Sequence, residues 1–227
     1  MPSMSAVSPL ATSAEKSTLS ASDWEQAALD LIAEKGVSAL AVEPLARRLG
    51  ITKGSFYWHF ASRDELLEQS LKRWEHRDIQ HLARSLGSSQ EPAMRLAEFI
   101  LRTSRQNRSH QIHAALCAAS DHPTVKPVIE RITRRRLEYL AGAFRELGLD
   151  AEPAAHRARL TYTSYVGYIQ LQTRGMAPER GSEEFEDYVR HAIDALITVR
   201  CPGKQTPCLI RPLHDPPPHA REGESDE

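Results

Sequence analysis

Long apolar runs, cysteines and aromatic residues are all scarce in this sequence. The 227 residues include three cysteines, and Phe, Trp and Tyr together make up 6%. Cys117, Cys201 and Cys208 are too few and too scattered for a disulfide framework, which is typical of a reducing compartment. Neither an apolar run of about 18 residues nor a positively charged start leading into an apolar segment is present. We therefore expect a cytoplasmic protein with no membrane contact.

An excess of charge of one sign is also missing. Lys and Arg number 29 against 30 Asp and Glu, so bulk attraction does not hold this chain to nucleic acid. A local excess exists instead, because four cations and one acid, a net of +3, lie in the segment 43–63: Arg47, Arg48, Lys53 and Arg63 against Glu43. Acids in the wider window 22–78 cancel this excess, so charge alone does not identify a DNA-binding protein.

Two short helices joined by a tight turn are predicted in the segment 43–60. Three apolar residues share one face of the first helix: Leu45, Ala46 and Leu49. Gly50 follows directly, and glycine readily adopts the left-handed conformation with which many helices end. The chain should therefore turn here and begin a second helix.

The second helix is predicted to separate an inner face from an outer one. Thr52 is suited to cap it, and Phe56 and Phe60, four residues apart, supply the inner face. A cation, a glycine, a hydroxyl, two large aromatic side chains and an imidazole remain outside: Lys53, Gly54, Ser55, Tyr57, Trp58 and His59. Such a surface suits a DNA groove and its flanking phosphates better than plain solvation.

The tract LARRLGITKGSFYWHFASRDELL, residues 45–67, resembles the helix-turn-helix signature of the TetR family of transcriptional regulators. The likeness lies in the apolar–Ala pair, the glycine at 50, the small residues at 54 and 55, the aromatic pattern ending at Phe60 and the capped helix that follows. Three residues depart from the usual pattern: Arg63 replaces a lysine, Leu49 an alanine and Ala41 a capping threonine or serine.

The resemblance implies roles for individual side chains at the helix-turn-helix. We assign phosphate contacts to Thr52, Tyr57 and Arg63, and positions nearer the base edges to Lys53, Ser55 and His59. The predicted DNA-binding set is completed by Arg47, Gly54 and Trp58.

Helical periodicity continues through most of the chain and predicts an all-α fold. Ser22 and Glu25 have capping-box spacing before an amphipathic helix, and Ser62 and Glu65 repeat that spacing before a helix that should reach residue 86. Further helices are predicted over residues 92–107, 111–120, 125–147, 150–174 and 182–199. No stretch alternates with period two for long enough to form a strand.

The predicted organisation has four parts. Residues 1–20 form a disordered leader, 21–67 a three-helix helix-turn-helix DNA-binding domain, 68–200 a helical effector-binding and dimerisation domain, and 201–227 a disordered tail. The leader is rich in Ser, Ala, Thr and Pro, and the tail holds six of the fourteen prolines. The long helix after the DNA-binding domain is suited to carry rigid-body motion into it.

Two apolar stripes near the end of the helical region are candidates for a subunit interface. The first has small residues at its centre: Leu160, Ser164, Gly167 and Leu171. The second comprises Phe185, Val189, Ala192, Ile193 and Leu196. The spacing alone fits either an intramolecular core or a four-helix bundle between two subunits. The resemblance favours a homodimer reading a near-palindromic operator in double-stranded DNA, since family members generally dimerise through their final helices.

The resemblance further implies an unidentified small-molecule effector that binds between helices and lowers DNA affinity. We expect polar-tipped or soft side chains at otherwise apolar positions to line its site: Phe99, Thr103, His113, Cys117, Tyr139, Tyr162 and Tyr165. Ordinary core packing is the alternative for each of them.

Two further clusters receive simpler interpretations. One helical face could carry four metal-binding side chains, His110, His113, Cys117 and Asp121. Ten histidines produce such spacings by chance, and we predict neither a metal nor a cofactor. A basic run could meet an anionic ligand, but a solvated helix face is the preferred interpretation: Arg131, Arg134, Arg135 and Arg136.

The sequence as a whole favours a sequence-specific DNA-binding transcriptional regulator, most simply a repressor released by its effector. The alternatives are a helical enzyme and a protein-binding adaptor that uses its helix-turn-helix for other contacts. Against an enzyme, the chain has no Gly-rich phosphate loop, no HExxH and no GxSxG motif.

Overall fold

The computed structural model describes residues 19–86, 91–105 and 107–197. Within these ranges the chain forms nine α-helices and one 3-10 turn, Val37–Ala39, with no strand, so the all-α prediction is confirmed. The helices are α1 Ala21–Lys35, α2 Val42–Leu49, α3 Lys53–Phe56, α4 Arg63–Leu86, α5 Pro92–Arg105, α6 Asn107–Ala118, α7 Lys126–Glu146, α8 Ala151–Thr173 and α9 Glu183–Ile197. The predicted tail and all but the last two residues of the predicted leader lie outside the described residues.

Helix α1 is capped by Ser20, not by Ser22 as predicted. The Asp23 carboxylate accepts hydrogen bonds from the amide and the hydroxyl of Ser20, both at 2.7 Å. Glu25, the expected partner of Ser22, pairs instead with Arg73 of α4 at 3.3 Å. The spacing of serine and acid occurs twice in succession here, and the pattern alone does not rank the two caps.

The first hydrophobic core joins α1, the helix-turn-helix and α4. One apolar face of α1 is buried, and Phe56 lies edge-on to Trp24 with ring centroids 5.3 Å apart. The buried residues of this face are Trp24, Ala27, Ala28, Leu31 and Ile32. The same core continues into α6 and α7 through Ile112, Leu116, Val128 and Ile132. Helix α1 therefore packs directly on α6, in addition to its covalent connection through the helices between them.

The second core lies between α5, α7, α8 and α9. Phe144 of α7 and Phe185 of α9 are fully buried in it, together with Leu96 of α5 and Ala158 of α8. Helix α7 contributes to both cores, so a displacement of α7 would change the packing in both of them.

From α4 onward the helix bounds agree closely with the predicted ones except around residue 107. Helix α6 begins at Asn107, four residues earlier than expected, and His122-Pro123 lies in the turn before α7. The start of α6 was missed because it is polar, although His110 within it is buried.

Among the residues described, none of the helices combines the length and the apolar character that a membrane-spanning segment requires.

Replacing Phe56 by alanine should lower the free energy of unfolding by about 3–5 kcal/mol, because it empties a fully buried site beside Trp24. Replacement of the adjacent, exposed Tyr57 by alanine should cost less than about 1 kcal/mol. Urea denaturation of both variants, followed by circular dichroism, measures the difference. Equal losses would contradict the opposite orientations of these two neighbours.

Candidate nucleic-acid interface

The turn between α2 and α3 depends on Gly50. Its φ of +69° lies in the left-handed region that side chains other than glycine rarely adopt. The Gly50 amide donates to the Arg47 carbonyl at 3.2 Å, and the Ile51 amide donates to the Ala46 carbonyl at 3.0 Å. These bonds end α2 and fix the direction in which α3 leaves it.

The inner and outer faces after this turn are separated as the sequence predicts. Phe56 and Phe60 are buried, and their rings stack with centroids 5.5 Å apart. Tyr57 is 59% exposed and Trp58 is 87% exposed. The remaining predicted DNA-contact residues of this segment are exposed or half-buried: Thr52, Lys53, Gly54, Ser55 and His59. We refer to residues 52–59 as the recognition tip.

Helix α3 is shorter than predicted and ends at Phe56, before the expected Phe60. Tight turns continue it, since the Tyr57 amide donates to Gly54 at 3.3 Å and the His59 amide to Phe56 at 2.9 Å. Bonds between residues three apart wind the chain more tightly than an α-helix. The two consecutive aromatic side chains at 57 and 58 consequently both reach the surface.

The Arg63 side chain donates hydrogen bonds to backbone carbonyls of the protein itself. Its Nε donates to the Leu40 carbonyl at 3.0 Å, and its Nη2 donates to the Val37 carbonyl at 3.2 Å. These bonds fasten the 3-10 turn to the start of α4. A phosphate contact by Arg63 remains a prediction from resemblance, and in this arrangement its Nε and Nη2 both bond to backbone carbonyls.

Part of the positive charge counted over residues 43–63 is neutralised by pairing with an acid of another helix. Arg48 forms a two-bond pair with Glu34 of α1, at 2.7 and 2.9 Å, so it serves packing between helices. Arg47 is exposed and only loosely paired with Glu43, at 3.9 Å. Arg47 and Lys53 are therefore the cations of this segment that are best placed to meet a phosphate backbone.

Two cavities lie among the helices after α3. The polar cavity, of about 160 Å³, has walls from α1, α4, α5, α6, α7 and α8. The tyrosine cavity, of about 60 Å³, lies between α5, α7, α8 and α9, with Tyr162, Tyr165, Tyr168 and Tyr188 in its lining. Four residues line both cavities and form their common wall: Phe99, Thr103, Arg136 and Tyr165.

The residues predicted to hold an effector are distributed around these cavities. Phe99, Thr103, Tyr162 and Tyr165 line the tyrosine cavity. His113 is buried beside it and contacts the Tyr162 hydroxyl at 3.2 Å, with the Cys117 sulfur 3.8 Å from its ring. Tyr139 packs on Phe99 and faces a different surface groove. The sequence did not indicate Arg77, Arg108, Tyr168 or Tyr188, which also line the two cavities.

The histidines of α6 are occupied by neighbouring side chains. Arg180 donates to His110 Nδ1 at 2.6 Å, and burial, with Arg180 and Arg136 nearby, lowers the pKa of His110 to about 3. Burial likewise lowers the pKa of His113 to about 3. Both imidazoles are therefore neutral at neutral pH. Within the described ranges no three His, Cys, Asp or Glu side chains are grouped to bind a metal ion.

The prediction that the basic run of α7 is a solvated face is wrong for Arg136, which is buried, whereas Arg131 and Arg134 are exposed and Arg135 is half-buried. Arg131 and Arg135 pair with Glu75 at 2.7 and 3.4 Å, and Arg136 pairs with Asp78 at 2.5 Å while being almost fully buried. These acids lie on α4. The run is a set of ion pairs between two helices, which periodicity within α7 alone does not reveal.

The two stripes predicted for a subunit interface differ in exposure. On α8, Leu160 is 59% and Leu171 is 41% exposed, and Ser164 and Gly167 are exposed between them. On α9, Phe185, Val189 and Ile193 are buried in the second core. We therefore correct the prediction for these three residues, since the core of their own chain already covers them. Ala192 and Leu196 are half-buried.

These features define a helix-turn-helix protein with a helical region carrying internal cavities. A sequence profile described as bacterial regulatory proteins, tetR family, matches residues 26–69. The chain is also similar to the transcriptional regulator SrpR of Pseudomonas putida, with 38% identity over 50 residues, covering 22% of this chain and 24% of that protein. It is 46% identical over 43 residues to the class A tetracycline repressor from transposon 1721 of Escherichia coli, covering 19% and 20% of the two chains.

The likeness of fold extends much further than the likeness of sequence. A TetR transcriptional regulator from Legionella pneumophila superposes with a TM-score of 0.65 at 19% identity, covering 76% of this chain and 94% of that one. The curated relatives are matched over only about a quarter of their length, at the helix-turn-helix. Together these matches show that residues 26–69 are similar to the tetR family of bacterial regulatory proteins and that the described residues share the fold of solved TetR regulators.

Replacing Arg63 by glutamine should lower the free energy of unfolding by about 1–3 kcal/mol, because two backbone carbonyls lose a charged donor. The matched change Arg47→Gln, at an exposed and loosely paired position, should change it by less than about 0.5 kcal/mol. Thermal and urea denaturation measure both. A stable Arg63→Gln variant with weakened DNA binding would instead favour the phosphate-contact role.

Proposed function

We propose that this protein is a sequence-specific, dimeric DNA-binding repressor of transcription that a small-molecule effector releases from its operator. The observation that carries the proposal is the recognition tip, where Tyr57 and Trp58 are exposed directly beside the buried Phe56. Large aromatic side chains are costly to hold in water without a partner. The match of this segment to regulators, one of them named a repressor, supports DNA as that partner and disfavours the enzyme and adaptor alternatives.

The recognition tip offers different side chains to the backbone and to the bases. The Tyr57 and Thr52 hydroxyls suit phosphate oxygens, and the ammonium of Lys53 suits guanine O6 and N7 in the major groove. Gly54 lies exposed between them, and the position its Cβ would take has the Thr52 hydroxyl at 3.8 Å as its nearest neighbour. A residue without a side chain at this place permits close approach of the duplex.

A second copy of the chain is the proposed partner of the exposed face of α8. Leu160 and Leu171 are apolar and uncovered, and the small residues between them allow two helices to approach closely. A single recognition tip reads only a few base pairs, whereas two tips related by two-fold symmetry read a near-palindrome. This proposal uses α8 as the centre of the interface and leaves the buried side of α9 to the core.

Effector release is proposed to act through α6. Arg108 near its start pairs with Asp30 and Glu34 of α1 at 2.8 and 3.0 Å, and His110, two residues later, lines the polar cavity. A ligand that prefers one position of α6 would thereby shift α1 and the spacing of the two recognition tips. If the ligand binds more tightly to the arrangement in which the two recognition tips are wrongly spaced, that difference in affinity is sufficient to lower the affinity for DNA.

Substituting residues of the recognition tip should separate backbone from base contacts. We expect Tyr57→Ala to weaken binding to all sequences, and Lys53→Ala also to change the preferred base at one position. Mobility shifts with the DNA upstream of the protein's own gene, at rising salt, measure both effects. Lys72→Ala, an exposed change on α4 paired only within its helix, is the control. Equal losses on every sequence would contradict the assignment of Lys53.

Placing arginine at Gly167 should abolish the dimer while leaving each chain folded. A Cβ added there meets no atom within 4 Å, so the chain itself tolerates the change, but a helix packed against α8 would be displaced. Sedimentation velocity measures the molecular mass. Ala151→Arg, at the exposed first residue of the same helix, is the control. A Gly167→Arg protein that dimerises as the unmodified one does would rule out this face.

A further inference from the structure

The polar cavity is surrounded by guanidinium groups, nearly all of which have a carboxylate partner. Arg108 pairs with Asp30 at 2.8 Å, and Arg136 pairs with Asp78 at 2.5 Å. Just outside the lining, Arg73 pairs with Glu25 at 3.3 Å. Asp30, Asp78 and Glu25 therefore each form an ion pair with an arginine.

Arg77 of α4 is the exception. It is half-buried and lines the polar cavity, yet within the described ranges it forms no ion pair and no hydrogen bond. Burial and the neighbouring charge of Arg73 lower the pKa of Arg77, although an arginine side chain stays protonated. Asp30 and Glu25 act on Arg77 only at longer range, without an ion pair or a hydrogen bond. A half-buried cation with no directly bonded partner points to a partner that the described residues do not supply.

Four apolar side chains form one part of the lining, beside the polar Gln26, His81, Thr103, Ser109, His110 and Tyr165. Trp74, Leu82 and Ile112 are buried, and Phe99 separates the polar cavity from the tyrosine cavity. A cavity of about 150 Å³ lined by apolar groups is large enough for a benzene ring, and this one has about 160 Å³. The site thus combines room for a ring or a short apolar body with one unpaired positive charge.

One aromatic face of the common wall already has a cation beside it. The Arg136 guanidinium lies 5.5 Å from the centroid of the Tyr165 ring and occupies one face of that ring. The one carboxylate in the lining, Asp78, accepts two hydrogen bonds from the same arginine at Oδ1, while its buried Oδ2 accepts none, and three arginines line the cavity against this one acid: Arg77, Arg108 and Arg136. Charge and ring geometry together favour an anion.

We propose that the polar cavity binds a small organic carboxylate with an aromatic or similarly apolar body, whose carboxylate pairs with Arg77 while the body packs on Trp74 and Phe99. This inference deepens the proposed function, on which it rests, by giving the chemical class of the effector. Carboxylate and guanidinium match each other through two parallel hydrogen bonds, so loss of either charge should be costly.

Calorimetric titration of the full chain without DNA tests the proposal. The probes are benzoate and 3-phenylpropanoate, with benzamide as the neutral analogue and benzyltrimethylammonium as the cationic one. We expect at least one carboxylate to bind about tenfold or more tightly than benzamide, and the cation to bind least. Tighter binding of benzamide or of the cation, or no binding of either carboxylate, would overturn the proposal.

The variant Arg77→Gln identifies the site. It should weaken carboxylate binding about tenfold or more, leave benzamide binding unchanged and leave the melting temperature of the ligand-free protein equal or higher, since an unpaired charge is removed. Arg84→Gln makes the same change at an exposed position of the same helix and should leave binding unaltered. Unchanged carboxylate affinity in Arg77→Gln would show that the anion binds elsewhere and would overturn the assignment.

Binding to the DNA-free chain separates this inference from the proposed function. If the protein binds the carboxylate through Arg77 but never binds DNA, the proposed repressor function is contradicted and the proposed carboxylate site is supported. If the protein binds the DNA upstream of its gene but none of the carboxylates, the proposed regulatory function is supported and the proposed effector class is rejected.

Discussion

The packing of Phe56 on Trp24 is the contact on which the outer surface of the helix-turn-helix depends. With Phe56 fixed against α1 and Phe60 stacked on it, the intervening side chains have no room inside and must face solvent. The left-handed turn at Gly50 sets the direction from which this segment enters. A hydrophobic contact of ordinary strength thereby determines which groups are available to a nucleic acid.

Paired charges connect this unit to the rest of the protein. Arg108 reaches from α6 to α1, and Arg131, Arg135 and Arg136 reach from α7 to acids of α4. The continuous first core supports the same connections with apolar contacts. Helix α6 therefore contacts α1 directly, and the long helix α4, predicted to be suited to carry rigid-body motion, is one of at least two links to the helix-turn-helix unit.

The sequence was most informative where a pattern is local. The helix-turn-helix, its buried phenylalanines and its exposed tip follow from spacing within 20 residues, and the family match agrees with them. Pairings between distant residues could not be predicted in this way. Nothing in the order of residues shows that Arg136 meets Asp78, that Arg63 bonds to the backbone of residues 37 and 40, or that Arg77 lacks a bonded partner among the described residues, because each depends on how helices lie across one another. Three of the five residues in the α9 stripe are covered by their own chain, which spacing could not show, since it identifies an apolar face without identifying what covers it.

Glu34 receives two arginines, Arg48 from α2 and Arg108 from α6, and so joins three helices at one carboxylate. The hydrogen bonds from Arg48 and then Arg108 lower the pKa of Glu34 to about 2. For a carboxyl with a depressed pKa, the stabilisation is complete above the ordinary value of 4.5 and is lost as pH falls toward 2. The pairing of Glu34 with its two arginines should therefore not change with pH near neutrality. Added salt should weaken this pairing, because salt screens exposed charges.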